Sequence, residues 1–307
     1  MKKRIQNRLA ESRFAFPVMI IYGLAVWLGA GAVAEGAYLQ LVFFVASTLL
    51  MMMLNNTNSL IRIYSRMVSC SFVAMTCAAT FLFSSLESCA TCMCFILFYL
   101  SLLRSYQDKR APGIAFYSFA CLGIASLFFV QILYFVPFLW ILMASNMMAL
   151  THRMFWATVL GLVMPYWFAV GYYVVTNQFD AFIDHFAELA QFEPLLQYEA
   201  LDIHRIATFG LVVLLAVIGI IHYMRNSYLD KIRTRMIFEM FITVDILSFV
   251  FIILQPQHFD NLLPIIIVNT SCLFAHYVAL TRTWLTNVTF IVMCLATLGL
   301  TIFNLMP

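Results

Sequence analysis

Long apolar runs broken by short polar gaps recur along the chain from Phe14 to Phe303. A helix crossing a bilayer needs about 20 mainly apolar residues, since each residue advances it by about 1.5 Å. On that rule the pattern predicts spans at 14–33, 37–54, 67–84, 88–103, 113–130, 132–150, 155–175, 206–224, 236–254, 262–281 and 285–303. The stretch 113–150 is about twice one crossing, so it is read as a tight two-helix hairpin. The polar run Asn55–Asn56–Thr57–Asn58–Ser59, ahead of Arg62 and Arg66, predicts an N-terminal boundary for the third helix. Between residues 176 and 205, Phe179, Phe182, Phe186, Leu189 and Phe192 recur at three- and four-residue steps, with Asp180, Asp184 and Glu188 on the other ridge. That is the period of an amphipathic helix lying at a membrane surface, its phenylalanines turned to lipid or to the bundle.

The gaps sort by charge. Of the 17 Lys and Arg residues, all but Arg205 fall in alternate gaps: the N-terminal cluster ending at Arg13, then Arg62 and Arg66, then Arg104, Lys109 and Arg110, then Arg153. Arg225, Lys231, Arg233, Arg235 and finally Arg282 complete the series. The opposite gaps hold Glu35, Glu87, the acidic stretch 180–202 and Asp260. Cytoplasmic loops retain cations, so the pattern predicts an all-α bundle of eleven spans, N-terminus in and C-terminus out. Moving any one span would put a cationic cluster on the wrong side. Residues 1–13 form a basic cytoplasmic tail, 14–307 a single integral membrane domain, and 176–205 its one sizeable external segment. The apolar run 14–33 exceeds the roughly 7–15 residues of a signal-peptide core, so it is read as an uncleaved first span.

Composition agrees: 64% of residues are hydrophobic and 10% charged, against roughly a quarter charged in a soluble domain. The bilayer is therefore an obligatory partner. The net charge of +3 is accounted for by topology, and no basic patch interleaved with aromatics points to nucleic acid.

Candidate chemistry is sparse. Asp245 lies mid-span, where an ionised carboxylate costs at least about 2.5–3.5 kcal/mol, and such residues commonly serve ion or proton paths. Asn269, Thr270 and Ser271 lie at similar depth on the next span and can hydrogen-bond it, which is equally the pattern of a structural clasp worth about 0.6 kcal/mol per bond. Glu239 and His276 both lie near the inner face and suit a proton-moving pair, since His titrates near neutrality. Glu239 beside Arg233 and Arg235 equally suits plain charge neutralisation. His185 and Glu188 share a helical face and would suit a divalent ion, but a metal needs three or four converging ligands. Nothing in the sequence brings Glu199, Asp202 or His204 to them, and a solvated acidic face explains them as well. Cys89, Cys92 and Cys94 sit at a span end, and together with Cys70, Cys77, Cys121, Cys272 and Cys294 read as small packing residues. No phosphate loop, dinucleotide fingerprint or zincin motif identifies a cofactor or a resident metal.

Two stretches carry a resemblance. Tyr106-Gln107-Asp108-Lys109-Arg110, then Cys121 to Phe129, then Pro137, Arg153 and Leu160 to Tyr166, together with Phe274 to Arg282, resemble a domain-of-unknown-function family of polytopic inner-membrane proteins of the Bacteroidota. Some of its sequences bear a carotene-monooxygenase label. Here the six histidines divide between the two faces, three to a side, so a four-histidine iron centre is not expected. The order of Gly123, Pro137, Arg153, Gly161 and Pro165 is also similar to the membrane core of the glycosyltransferase-C superfamily. That likeness implies a polyprenyl-phosphate-linked sugar substrate at the outer face. Those enzymes carry an acidic pair in a large first outer loop, whereas here that loop is 34–36 with Glu35 alone. Asp180 and Asp184 are the available substitutes as catalytic acids, and Arg205 is the outer cation for a substrate phosphate. The expected activity is handling of lipid-linked sugars or envelope precursors. The alternatives are a proton-coupled transporter or flippase using Asp245, although the sequence shows no inverted repeat of the transporter kind, and a non-catalytic scaffold for envelope assembly.

Overall fold

The computed structural model describes residues 4–191 and 201–306, and among these the regular structure is entirely helical. In chain order the α-helices are α1 (Ile5–Ala10), α2 (Ala15–Gly29), α3 (Tyr38–Asn58), α4 (Met67–Ala78), α5 (Leu86–Leu102), α6 (Pro112–Phe128) and α7 (Val136–Ser145). They continue as α8 (His152–Val175), α9 (Phe179–Ala187), α10 (Ile203–Asn226), α11 (Ile232–Leu254), α12 (Phe259–Leu280) and α13 (Trp284–Leu305). A helix stands at every predicted span. Seven of them (α3, α5, α8, α10, α11, α12 and α13) are long and apolar enough to cross a membrane, while α2, α4, α6 and the stretch Val130–Ser145 are shorter apolar helices.

Two of the short ones, α4 and Val130–Ser145, have local causes. α4 ends at Ala78, whose carbonyl accepts from Asn304 Nδ2 at 2.6 Å, and the chain tightens into a 3-10 turn over Thr80–Leu82. Pro137 sits in the first turn of α7, which its missing N–H tolerates, and Val130–Phe135 before it is 3-10 helix. Six residues rising about 2.0 Å each and ten rising about 1.5 Å reach about 27 Å, close to a hydrocarbon core of about 30 Å. The polar run 55–59 belongs to the end of α3 and not to the start of the third span: helical bonding continues to Asn58, and Ser59 closes it in the left-handed region at φ 49°. Asn58 Nδ2 donates to Leu54 O and Asn55 Nδ2 to Ser65 O, so these amides complete a helix C-terminus.

The core is built around α12, in which every residue from Leu262 to Ala279 is buried. It packs on α1, α4, α5, α10 and α11. Gly219 of α10 lets that helix approach closely, since a Cβ there would lie 2.9 Å from Leu273 Cβ. The tightest pair is α6 with α8. A Cβ at Gly123 would meet Leu162 O at 2.7 Å, and one at Gly161 would collide with Phe116 O. Small residues at such crossings are what close packing in lipid selects. The glycines that carried the likeness to a glycosyltransferase core thus have a packing role of their own.

Loop-to-loop bonds fall into two sets. At the cationic end Arg4 donates to Arg282 O, Gln6 Nε2 to Val278 O, Arg62 to Leu229 O, Arg233 to Leu103 O, and Gln107 N–H to Met147 O. At the opposite end Gln40 donates to Ser84 O, Ser88 to Asn261, Thr80 to Asn304 O, and Arg205 to Asp260. The amphipathic α9 lies at this second end. Phe182 and Phe186 meet the Tyr166 ring, His185 Nε2 lies 3.0 Å from Ser126 O, and Tyr134 OH donates to Leu189 O. Phe192 and Glu199 lie outside the described residues.

Candidate functional site

Along α11, Ile237, Phe238, Phe241, Val244, Asp245, Ser248 and Ile252 recur at three- and four-residue steps and form its buried face. That register turns Asp245 toward α12 at full burial, the environment that demands a partner for a carboxylate. Thr270 Oγ1 supplies one, donating to Asp245 Oδ2 at 3.0 Å. One residue earlier, Asn269 Oδ1 accepts from Tyr99 OH at 2.8 Å. Tyr99 on α5 is itself fully buried, its ring edge-on to Phe241 at 5.0 Å. Three helices therefore meet in an enclosed cluster of Tyr99, Asp245, Asn269 and Thr270. Two of its polar atoms, Asp245 Oδ1 and Asn269 Nδ2, have no hydrogen-bond partner. Ser271 turns away, bonding Ile267 O on its own helix. The polarity of Asp245, Asn269 and Thr270 in apolar runs made them legible. Tyr99 was missed because a tyrosine in a span reads as an aromatic packer until its hydroxyl's partner is known.

Two turns further along α12, His276 is fully buried and its Nε2 lies 2.9 Å from Asp230 Oδ2. Asp230 is nearly enclosed, and Arg62 Nη1 approaches its other oxygen at 3.8 Å. The His222 ring lies 5.5 Å from that of His276, and His276 Nδ1 and His222 Nε2 are without partners. Neither alternative for Glu239 is formed among the described residues: the His276 imidazole faces Asp230, and Glu239 accepts from Asn146 Nδ2 at 2.9 Å without an ion pair to Arg233 or Arg235. Depth along the helices does not discriminate between Glu239 and Asp230 as partners of His276. The chain's fold-back at 227–230 decides the pairing, bringing Asp230 under α12.

The remaining candidates lie at the opposite end. Glu35 is exposed in the turn between α2 and α3, and Asp180 and Asp184 are exposed on α9. Arg205 is held by Asp260 in a two-pronged pair, Nε to Oδ1 at 2.9 Å and Nη2 to Oδ2 at 2.8 Å, with its guanidinium 5.1 Å from the Phe81 ring centre. Glu35 stays separate from the α9 acids by connectivity, since α2 and α3 pack on α4 and α5 while α9 packs on α8. Among the described residues no three His, Cys, Asp or Glu side chains converge as metal ligands. With His185 turned to a backbone carbonyl and Glu188 exposed, this pair does not fit a divalent ion. All eight cysteines are free thiols.

No family model, curated protein or solved structure matches the chain. The likenesses drawn from the sequence therefore rest on their motifs alone. Class is as far as the fold carries: a helical protein with apolar helices of membrane-crossing length.

Proposed function

We propose that this is an eleven-span protein of the bacterial inner membrane, N-terminus in and C-terminus out, that moves a solute or lipid in step with protonation of Asp245. The observation that carries the reading is the enclosed carboxyl group of Asp245, with one oxygen bonded to Thr270 and the other unpartnered, while the amide nitrogen of Asn269, the residue before Thr270, is unpartnered too. Nature seldom keeps an ionisable group at that depth without use, because its charged form is costly there. A carboxyl group with a free oxygen can take up and release a proton; the Thr270 hydroxyl already bonds it, and the Tyr99 hydroxyl bonds the neighbouring Asn269. The inner group of His276, Asp230 and His222 lies about 9 Å along α12 from Thr270, by six residues at about 1.5 Å each. It offers the proton a second station near the cationic end.

The test is complementation of a deletion strain. Asp245→Asn should fail to rescue and Asp245→Glu should rescue in part, at membrane abundance and melting temperature equal to wild type. Full rescue by Asp245→Asn overturns the reading.

A second reading, handling of lipid-linked sugars or envelope precursors, has one observation in its favour. An apolar groove of about 330 Å³ runs between α7 and α11, lined by Tyr134, Phe138, Val250, Phe251 and Leu254. It is wide enough for part of a polyprenyl chain, and Tyr134 bonds the segment just after α9. On this reading Glu35, Asp180 or Asp184 is the catalytic acid, and Arg205 contributes to a phosphate site only by sharing itself with Asp260. Each is replaced in turn (Glu35→Gln, Asp180→Asn, Asp184→Asn, Arg205→Gln), and rescue by all four removes the enzymatic reading. Rescue by these and by Asp245→Asn leaves the scaffold role.

A further inference from the structure

An apolar cleft of about 410 Å³ takes no part in the readings above. Its floor is one face of α4, where Met67, Cys70, Ala74 and Met75 recur at helical spacing. Its walls are α2, through Val18, Met19 and Tyr22, and α13, through Phe290, Met293 and Thr297. Both helices pack on α4 but not closely on each other, and the cleft is the gap left between them. At its deep end Tyr22 OH and Thr301 Oγ1, 2.9 Å apart, join the two helices. At the cationic end Leu9, Ser12 and Phe14 form its mouth. From Ala15 to Tyr22 a helix rises about 10 Å, so the cleft lies within one leaflet of a hydrocarbon core about 30 Å thick.

The cleft does not suit water. The hydroxyls of Tyr22 and Thr297 are already bonded, to Thr301 and to Met293 O, whereas a buried water needs about two to four polar partners. Left empty, the walls would forfeit their dispersion contacts. Val18, Cys294 and Leu298 are exposed along its open side, so in a bilayer the cleft meets lipid directly. A flexible acyl chain is the body that can enter it. Met19, Met67, Met75 and Met293, unbranched and adaptable, suit such a guest.

The mouth is basic. Residues 1–13 carry Lys2, Lys3, Arg4, Arg8 and Arg13 against one acid, Glu11. Arg4 is engaged with Arg282 O. Arg8 and Arg13 are exposed, make no ion pair among the described residues, and adjoin the mouth residues Leu9 and Ser12 in the chain. Ser12 Oγ accepts from the Phe14 N–H at 3.2 Å, which leaves its hydroxyl hydrogen to donate. Cations at a membrane surface draw anionic lipid, and a chain-sized recess beside them holds the lipid's other end. We propose that the cleft between α2 and α13 binds one acyl chain of an anionic phospholipid from the leaflet on the cationic side, with the lipid phosphate held by Arg8, Arg13 and the Ser12 hydroxyl.

The experiment uses the full chain, reconstituted in vesicles of equal parts phosphatidylcholine and phosphatidylglycerol and released into native mass spectrometry. One phosphatidylglycerol should stay bound at collision energies that strip phosphatidylcholine. Arg8→Gln and Arg13→Gln together should lower its retention relative to phosphatidylcholine at least about tenfold, each cation near an anionic headgroup contributing about fivefold. Arg153→Gln, an exposed cation of the same end but outside the cleft, should leave it unchanged. Ala74→Phe, which fills the cleft from its floor, should abolish retention. Val18→Trp should do the same from the lipid-facing side of α2, and because Val18 is exposed its replacement does not endanger the fold. Equal retention of the two lipids overturns the proposal, and so does retention that survives Val18→Trp. A dimer that Val18→Trp dissociates overturns it as well, since a second copy would then cover the cleft.

Discussion

Thr270 Oγ1 donates to Asp245 Oδ2 at 3.0 Å across the interface of α11 and α12, and it is the one hydrogen bond reaching that carboxyl group among the described residues. Removing the hydroxyl while keeping the shape, as in Thr270→Val, leaves the buried oxygen unpartnered. The expected loss is about 1–3 kcal/mol. Thr270→Ser keeps the donor and should cost far less. A double-mutant cycle with Asp245→Asn should give a coupling of at most about 1.7 kcal/mol, the upper range for bonds between membrane helices. The measurement is the fraction folded during titration of mixed micelles with a denaturing detergent. Equal stability of wild type and Thr270→Val would mean that the bond does not form.

The α6–α8 crossing makes a sharper prediction. Gly161→Ala places a methyl group on the Phe116 carbonyl oxygen, and Gly123→Ala places one against Leu162 O and the Pro165 ring. The obstacle in each case includes backbone, so the helices must separate, and overpacking of this kind costs about 1–3 kcal/mol. Gly171→Ala, on the same helix but with nothing within 4 Å, should be neutral or slightly stabilising. The comparison is made by thermal unfolding in one detergent. Equal melting temperatures for Gly161→Ala and Gly171→Ala would contradict the crossing.

His276 and Asp230 are both enclosed, so removing Asp230 leaves the His276 Nε2 without its partner, and removing His276 leaves Asp230 only the longer contact with Arg62 at 3.8 Å. Leaving a buried hydrogen-bonding group without its partner costs about 1–3 kcal/mol. His276→Ala should therefore destabilise strongly, and Asp230→Asn less, because its amide can still bond the imidazole. Combining His276→Gln with Asp230→Asn should restore part of the loss, since the two amides can hydrogen-bond each other in place of the native contact. If the two single losses simply add, the contact carries no coupling.

The sequence foretold a helix at every one of the eleven apolar runs, because a long apolar segment removed from water must satisfy its own backbone. It placed Asp245, Asn269 and Thr270 together because polar groups in such runs have few partners to choose from. Two kinds of information were not legible. Lateral rotation decides which of two carboxylates at one depth meets an imidazole, and here the turn at 227–230 brought Asp230 and not Glu239 to His276. Helix ends were the other gap. The asparagines at 55–58 look like the start of a helix in sequence, and only the left-handed Ser59 makes them an ending.

Orientation is the last prediction, and it tests the sorting of cations. Single cysteines are introduced at four exposed positions, Glu35→Cys, Asp180→Cys, Lys109→Cys and Arg153→Cys, in a Cys294→Ser parent that removes the one native cysteine classed as exposed rather than buried or half-buried. A charged maleimide crosses neither the bilayer nor a packed core, and thiols facing lipid stay unreactive for lack of water. With the N-terminus inside, Glu35→Cys and Asp180→Cys should label in intact spheroplasts, and Lys109→Cys and Arg153→Cys only after permeabilisation. The four sites bracket the short helices. Glu35 and Lys109 are separated by α3, α4 and α5, and Arg153 and Asp180 by α8 alone. If α4 failed to cross, Lys109 would label with Glu35. If the stretch Val130–Ser145 failed to cross, Arg153 would fall on the side opposite to Lys109. Labelling of Lys109→Cys or Arg153→Cys in intact spheroplasts would therefore break the eleven-crossing topology, and the two together separate a fault before Lys109 from one between Lys109 and Arg153.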